Sequence, residues 1–172
     1  FRRCVYDFFA TKGLSCLMSD KISTQHVHDR EQANHIDALG TPERVTVAEF
    51  IRQTLPFNEL PASILYPCVA KILVQYHCRG ESFSADTPDE GLRIIRSGAV
   101  ELRDSDNKLL DRLGEGESFH IIGLNAERGA VIATVIEDAL VYFVPDEVYR
   151  GLRKNDRSFD RYFSVQRNRR LR

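Results

Sequence analysis

The sequence has no tryptophan, one methionine and only four cysteines among its 172 residues. Cys4, Cys16, Cys68 and Cys78 form no Cys-x-x-Cys pair and lie far apart. This usage excludes a disulfide-dense secreted scaffold and the common structural zinc sites. It predicts free thiols in a reducing compartment, and therefore a cytoplasmic protein.

The chain also lacks any run of 18 apolar residues, which excludes a membrane-spanning helix of ordinary length. The net charge of −1 gives no general attraction to nucleic acid. The charge is uneven, because residues 150–172 hold nine Lys and Arg against two Asp. Too few residues follow Phe163 for a helix-turn-helix module, so we interpret the basic end as a solvated last helical turn and expect no nucleic-acid partner.

Signatures of catalysis are absent as well. The sequence contains no G-x-S-x-G, no P-loop and no G-x-G-x-x-G. His26 and His28 have the spacing of a metal-binding pair but lie in a polar segment, and His77 and His120 are the only histidines among the predicted strands. A cupin-like metal site is therefore the weakest alternative, and we predict neither an enzyme nor a metal site.

The amino-terminal part divides into two regions. Residues 1–45 are polar and predict an arm that is partly helical or disordered, whereas residues 46–172 carry the signals of one domain. Thr46 and Glu49 form a capping box, which predicts that a helix begins at Thr46. Pro61 is placed to open a second helix.

Residues 72–144 alternate between apolar strands and glycine-containing turns, and they predict roughly eight short strands. Residues 131–136 are apolar enough to predict a strand that is buried on both faces. Pro145 precedes a further helix, and a last amphipathic helix carries Phe159, Tyr162, Phe163 and Gln166. The predicted fold is mainly β: an antiparallel jelly roll, or double-stranded β-helix, with two amino-terminal and two carboxy-terminal helices.

Three glycines give this pattern a family likeness. Gly80 follows a strand that contains a tyrosine, Gly98 lies inside a strand-like segment, and Gly116 precedes Glu-Ser-Phe. With the order of helices and strands, they resemble the turn glycines of the cyclic-nucleotide-binding domain family. The resemblance implies a β-roll whose corner glycines adopt positive φ.

Four segments resemble a narrower group: residues 50–61, 100–104, 137–142 and 159–163. They are similar to the N-terminal sensor domain of bacterial signal-transduction proteins in which paired CBS domains and a nucleotidyltransferase region follow. The resemblance implies a regulatory domain with a small-molecule effector, downstream CBS and nucleotidyltransferase partners, and a homodimer formed through the carboxy-terminal helices.

In that family a cassette reading F-G-E-x-A-L holds the cyclic phosphate and the ribose. The matching residues here are Phe119, His120, Ile121, Ile122, Gly123 and Leu124, and the following candidates are Arg128, Val131 and Ile132. Ile121 stands in place of the ribose-binding glutamate, and Val131 stands in place of the phosphate-binding arginine. An unpaired hydroxyl costs about 1–3 kcal/mol and a lost charged hydrogen bond about 1.5–3 kcal/mol, so cyclic-nucleotide affinity is expected to fall by roughly a factor of 10³.

Several alternatives remain open at this point. Arg128 is either a displaced phosphate ligand or a solvated loop arginine, and His120 either contacts an anion or is a partly exposed loop residue. We predict a regulatory domain that senses a cyclic nucleotide or another small anionic ligand. The alternative is a ligand-free structural or dimerisation module, with Phe159, Tyr162 and Phe163 partly exposed on its helices.

Overall fold

A computed structural model describes residues 42–85, 90–122, 124 and 130–170 of the chain. Two helices come first, α1 (Pro42–Gln53) and α2 (Ala62–Val69), with a 3₁₀ turn at Phe57–Glu59 between them. Six strands follow: β1 (Leu73–His77), β2 (Ser82–Phe83), β3 (Gly91–Arg103), β4 (Leu109–Leu113), β5 (Ser118–Phe119) and β6 (Ile132–Pro145). The last elements are α3 (Asp146–Asn155) and α4 (Arg157–Arg170). The predicted fold class is confirmed.

The sheet is built around the pairing of β3 with β6. Strand order is β1–β6–β3–β4, with β2 also paired to β6 and β5 to β3, and every pairing is antiparallel. The β3–β6 ladder runs from Gly91 opposite Pro145 to Arg103 opposite Ile132. It therefore connects the helical end of the domain to the far end of the roll.

The sequence predicted roughly eight short strands, and that prediction is wrong for the described residues, which form six. Strands β3 and β6 are long and continuous, with irregular register between Ile95 and Val100 of β3. Gly98 has φ +88°, and a Cβ there would collide with the Asp138 carbonyl oxygen and lie 2.7 Å from the Ala139 Cα. The glycine therefore allows a bulge that bends a continuing strand, rather than a turn that ends it.

The buried side chains form two clusters. One lies between the helices and the adjoining ends of β3 and β6, and the other fills the interior of the roll. Residues 131–136 were predicted to be buried on both faces, but Ile132 is 40% exposed whereas Ala133 and Val135 are buried. Buried and more exposed side chains therefore alternate along this half of β6, as in a strand that has one face in the core and one face toward solvent.

The start of the first helix differs from the prediction, whereas the start of α3 agrees with it. Helix α1 begins at Pro42, so Thr46 lies inside the helix and is not its N-cap. Proline suits the start of a helix because its missing N–H has no partner there in any case. Helix α3 begins directly after Pro145, as predicted. In the described residues, no helix has the length and apolar character needed to cross a membrane.

Helix α4 packs back onto the domain through Phe159. This side chain is 1% exposed, and its ring centroid lies 5.1 Å from that of Phe57 and 6.4 Å from that of Tyr149. The prediction that Phe159 would be partly exposed is therefore wrong, whereas Tyr162 and Phe163 are half-buried. Sequence periodicity identified the apolar face of the helix but could not show that the 3₁₀ turn covers it.

Candidate functional site

The segment that matches the nucleotide cassette begins at β5 and points apolar side chains into the roll. Phe119, Ile121, Leu124 and Val131 are each at most 4% exposed and belong to the cluster inside the roll. The two positions at which the resemblance expects a glutamate and an arginine, Ile121 and Val131, are thus occupied by hydrocarbon in the core. Neither side chain can accept or donate a hydrogen bond to a sugar or a phosphate.

The other candidates from the sequence lie elsewhere. Ile122 is half-buried, and Ile132 is exposed at the start of β6. Gly123 and Arg128 lie outside the described residues, so the two interpretations of Arg128 stay open. The structure therefore brings together Phe119, Ile121, Leu124 and Val131, and it leaves Ile122 and Ile132 outside this cluster.

His120 faces helix α3. Its Nε2 donates to Asp146 Oδ1 at 3.2 Å, and its ring centroid lies 4.8 Å from that of Tyr149. Asp146 Oδ2 also accepts from Arg150 Nε at 2.6 Å. The imidazole is 12% exposed, so most of the ring is buried against helix α3.

Burial sets the charge of this histidine. It lowers the pKa of the His120 imidazole, and the neighbouring Asp146 carboxylate only partly opposes this effect. The ring is therefore neutral at pH 7, with its Nε2 proton directed at the carboxylate. At that pH His120 acts as a neutral link between the cassette segment and the first turn of α3, and carries no charge for attracting an anion.

Arg93 is a buried arginine that the sequence reasoning missed. It is 3% exposed, and its guanidinium carbon lies 4.5 Å from the ring centroid of Phe83 and 5.1 Å from that of Phe143. Contact with aromatic faces stabilises a desolvated guanidinium. Arg93 also lines a cavity of about 10 Å³ beside Ile121 and Ile122. The signal in the sequence is an arginine inside the apolar run of residues 92–95.

Arg170 connects the end of α4 to the roll. Its Nε donates to Asp111 Oδ2 at 2.9 Å and its Nη1 donates to the Ser118 carbonyl oxygen at 2.8 Å. The side chain is 9% exposed, so the prediction of a solvated last helical turn is wrong at this residue, whereas Arg169 is exposed. Ser118 belongs to β5, immediately before the cassette segment, so α4 is tied to that segment directly.

Two cavities adjoin the cassette segment among the described residues. One measures about 40 Å³ and lies between β5, α3 and α4, and the other is the cavity of about 10 Å³ beside Arg93. Pockets that bind small organic ligands measure roughly 300–1,000 Å³. Neither cavity has the volume of a nucleotide pocket.

The described residues show no metal centre. No group of three or more His, Cys, Asp or Glu side chains in that part of the chain could hold a metal ion. His77, at the end of β1, contacts Glu81 at 2.9 Å, whereas His120 contacts Asp146 of α3. His26 and His28 lie outside the described residues.

The order and pairing of these elements define the β-roll fold of cyclic-nucleotide-binding domains. No family model matches the sequence, and no curated protein matches it. Solved structures do match. The sensor domain of the transcriptional regulator DNR from Pseudomonas aeruginosa has a TM-score of 0.61 at 12% identity, covering 76% of this chain and 92% of that one.

Two further structures show the same fold. A protein from Eubacterium rectale, assigned to the Crp/Fnr family of transcriptional regulators, has a TM-score of 0.58 at 16% identity, covering 67% of this chain and 57% of that one. A protein from Geobacter metallireducens, assigned as cyclic-nucleotide-binding, has a TM-score of 0.57 at 16% identity, covering 72% and 94%. The chain thus spans less than two thirds of the E. rectale regulator, and likewise of two Ruegeria and Silicibacter proteins of this fold.

Proposed function

We propose that this chain is a regulatory, non-catalytic domain of a bacterial signalling protein, and that the cassette segment and helices α3 and α4 change position together. The observation that carries the proposal is the double link between them. His120 binds Asp146 at the start of α3, and Arg170 at the end of α4 binds the carbonyl oxygen of Ser118. A change in the cassette segment would therefore alter contacts of both helices at once, which is the requirement for passing a signal onward.

The effector of such a domain would not be a cyclic nucleotide held tightly in the roll. Ile121 and Val131 fill the core where the resemblance expects the ribose and phosphate ligands. A nucleotide bound there would bury a hydroxyl and a charged phosphate without partners, which is costly. We infer that the cassette is degenerate and that another small anionic ligand is the more suitable effector.

The cellular context of the proposal comes from the resemblance. CBS and nucleotidyltransferase domains would follow this domain in a cytoplasmic protein and receive its signal. The arm predicted over residues 1–45 would end before Pro42, because residues 42–45 form the first turn of α1. Phe159 is buried in the core, so a homodimer through the carboxy-terminal helices would use the exposed side of α4. Val165 lies on that side and is 59% exposed.

Hydrogen exchange tests the link between cassette and helices. We expect His120→Ala to speed amide exchange in the first turns of α3 and in α4, because both contact the same segment. His77→Ala is a matched control, since His77 is half-buried and hydrogen-bonded but lies on β1, away from both helices. Equal exchange in α3 and α4 for the two variants would refute the proposal.

Calorimetric titration tests the ligand class. We expect cAMP, cGMP and cyclic dinucleotides to show no saturable binding below millimolar concentration. Saturation in the micromolar range would overturn the inference of a degenerate cassette.

The filled roll also favours a second candidate, a ligand-free structural or dimerisation module. This candidate predicts a dimer that Val165→Asp converts to a monomer, because the substitution places a charge on the exposed apolar position of α4. The molar mass in solution of the wild type and of this variant decides it, and a monomeric wild type would exclude it.

A further inference from the structure

The cavity of about 40 Å³ has an unusual lining. It lies outside the roll, between β5 and His120 on one side and helices α3 and α4 on the other. Arg153, Arg167 and Arg170 all line it, and none of the described lining residues is an Asp or a Glu. Asp160 and Asp111 pair with Arg153 and Arg170 from outside the cavity, so the space offers arginine N–H donors and no carboxylate on its own wall, as an anion site requires.

The surrounding contacts hold two of these arginines in place. Arg153 donates from Nε and Nη2 to Asp160 Oδ1, at 2.7 and 2.6 Å, and its guanidinium carbon lies 5.6 Å from the Tyr149 ring centroid. Arg170 is held by Asp111 and Ser118. A guanidinium has five N–H donors, so these bonds leave each arginine with donor capacity. Side chains that are already ordered lose little further entropy when a ligand binds.

Size and polarity narrow the class of ligand. At about 10–15 Å³ for each water-sized group, the cavity holds about three such groups. A carboxylate has three heavy atoms and a phosphate group five, so the space fits one small oxyanion, with part of a phosphate group reaching the open side, and it excludes the base and sugar of a nucleotide. Ser164 and Gln166 of α4 add a hydroxyl and an amide to the lining. The planar guanidinium group of arginine can donate two parallel hydrogen bonds to two oxygens of one phosphate group.

We propose that this cavity binds a phosphate group, through Arg153, Arg167 and Arg170. The cavity shares Phe119 and Leu124 with the wall of the roll but does not include the cassette positions Ile121 and Val131. A bound phosphate group would contact α3, α4 and the neighbourhood of β5 together, and so would hold α4 against the domain. Only this regulatory consequence rests on the proposed function; the binding itself does not.

Calorimetric titration with inorganic phosphate, against sodium chloride of equal ionic strength, tests the site. We expect saturable millimolar binding to the wild type and at least about tenfold weaker binding to Arg167→Gln. Arg169→Gln is the matched control, because Arg169 lies on the same helix and is exposed, and it should bind like the wild type. Arg167→Lys keeps the positive charge but cannot donate two parallel hydrogen bonds, so its affinity for phosphate should lie between those of the wild type and Arg167→Gln. Circular dichroism checks that each variant is folded.

A parallel titration with AMP distinguishes the source of the phosphate group. Tighter binding of AMP than of phosphate would assign the site to a phosphomonoester, and binding of phosphate alone would assign it to the free ion. No phosphate-specific heat in the wild type, or equal binding by wild type and Arg167→Gln, would overturn the site. Hydrogen exchange of α4 separates the two proposals: phosphate binding without slower exchange would contradict the regulatory role and leave the site intact.

Discussion

Replacing Arg170 should release the end of α4 from the roll. In Arg170→Gln the charged hydrogen bonds to Asp111 and to the Ser118 carbonyl oxygen are lost. Asp111 has 37% of its side chain exposed, so water solvates it again and the pair contributes at most about 1 kcal/mol. Ser118 is only 6% exposed, and leaving its carbonyl oxygen unpaired costs about 1–3 kcal/mol.

The combined loss of about 2 kcal/mol corresponds to roughly a 30-fold larger opening constant for the last turns of α4. Native-state hydrogen exchange measures this directly, and we expect α4 amides to exchange about 30-fold faster while β3 and β6 amides are unchanged. Arg169→Gln is the control, because it removes the same charge from an exposed position of the same helix. If the two variants differ by less than about 0.5 kcal/mol, Arg170 does not hold the helix and the reasoning fails.

Three other substitutions test the core, the bulge and the buried histidine. Phe159→Ala removes a fully buried ring and should lower the free energy of unfolding by about 3–5 kcal/mol in urea titrations; a loss below about 1 kcal/mol would contradict its burial. Gly116→Ala should lower the free energy of unfolding by roughly 1–2 kcal/mol, because Gly116 has φ +80° but open space around the added Cβ. Gly98→Ala should lower it by more, because its Cβ also collides with the opposing strand. Equal losses for the two glycines would argue against the collision. Because burial lowers the pKa of His120, the unfolded chain takes up its proton first as pH falls through 6.5, and stability should decrease there. His120→Gln should flatten this part of the stability–pH curve, and an unchanged curve would exclude His120 as its source.

Much of the architecture follows from local sequence signals. Gly80, Gly98 and Gly116 all have positive φ, and Pro145 does precede a helix. The bounds of the strands could not be predicted, because a glycine that bends a strand and a glycine that ends one look alike in the sequence. Only the position of the opposing strand shows that Gly98 lies within β3.

The candidate site was less predictable, for a different reason. The sequence shows directly that Ile121 and Val131 are apolar, and the structure places both in the core. Arg170 could not be identified in this way, because arginine is usually exposed and its burial depends on partners from distant elements, and the only signal for Arg93 is the apolar run around it. Ser118 precedes Arg170 by 52 residues, and no periodicity connects them.

The β3–β6 ladder has a consequence for how the domain reaches its native state. Its residue pairs are distant in the chain, most of all Gly91 and Pro145, and the helices α3 and α4 pack on the end at which these two meet. Closing such long loops before any favourable contact forms slows folding. We therefore expect refolding on the millisecond-to-second scale, with α4 docking only after β6 has paired, so that the arginines of α4 reach their partners in the last step.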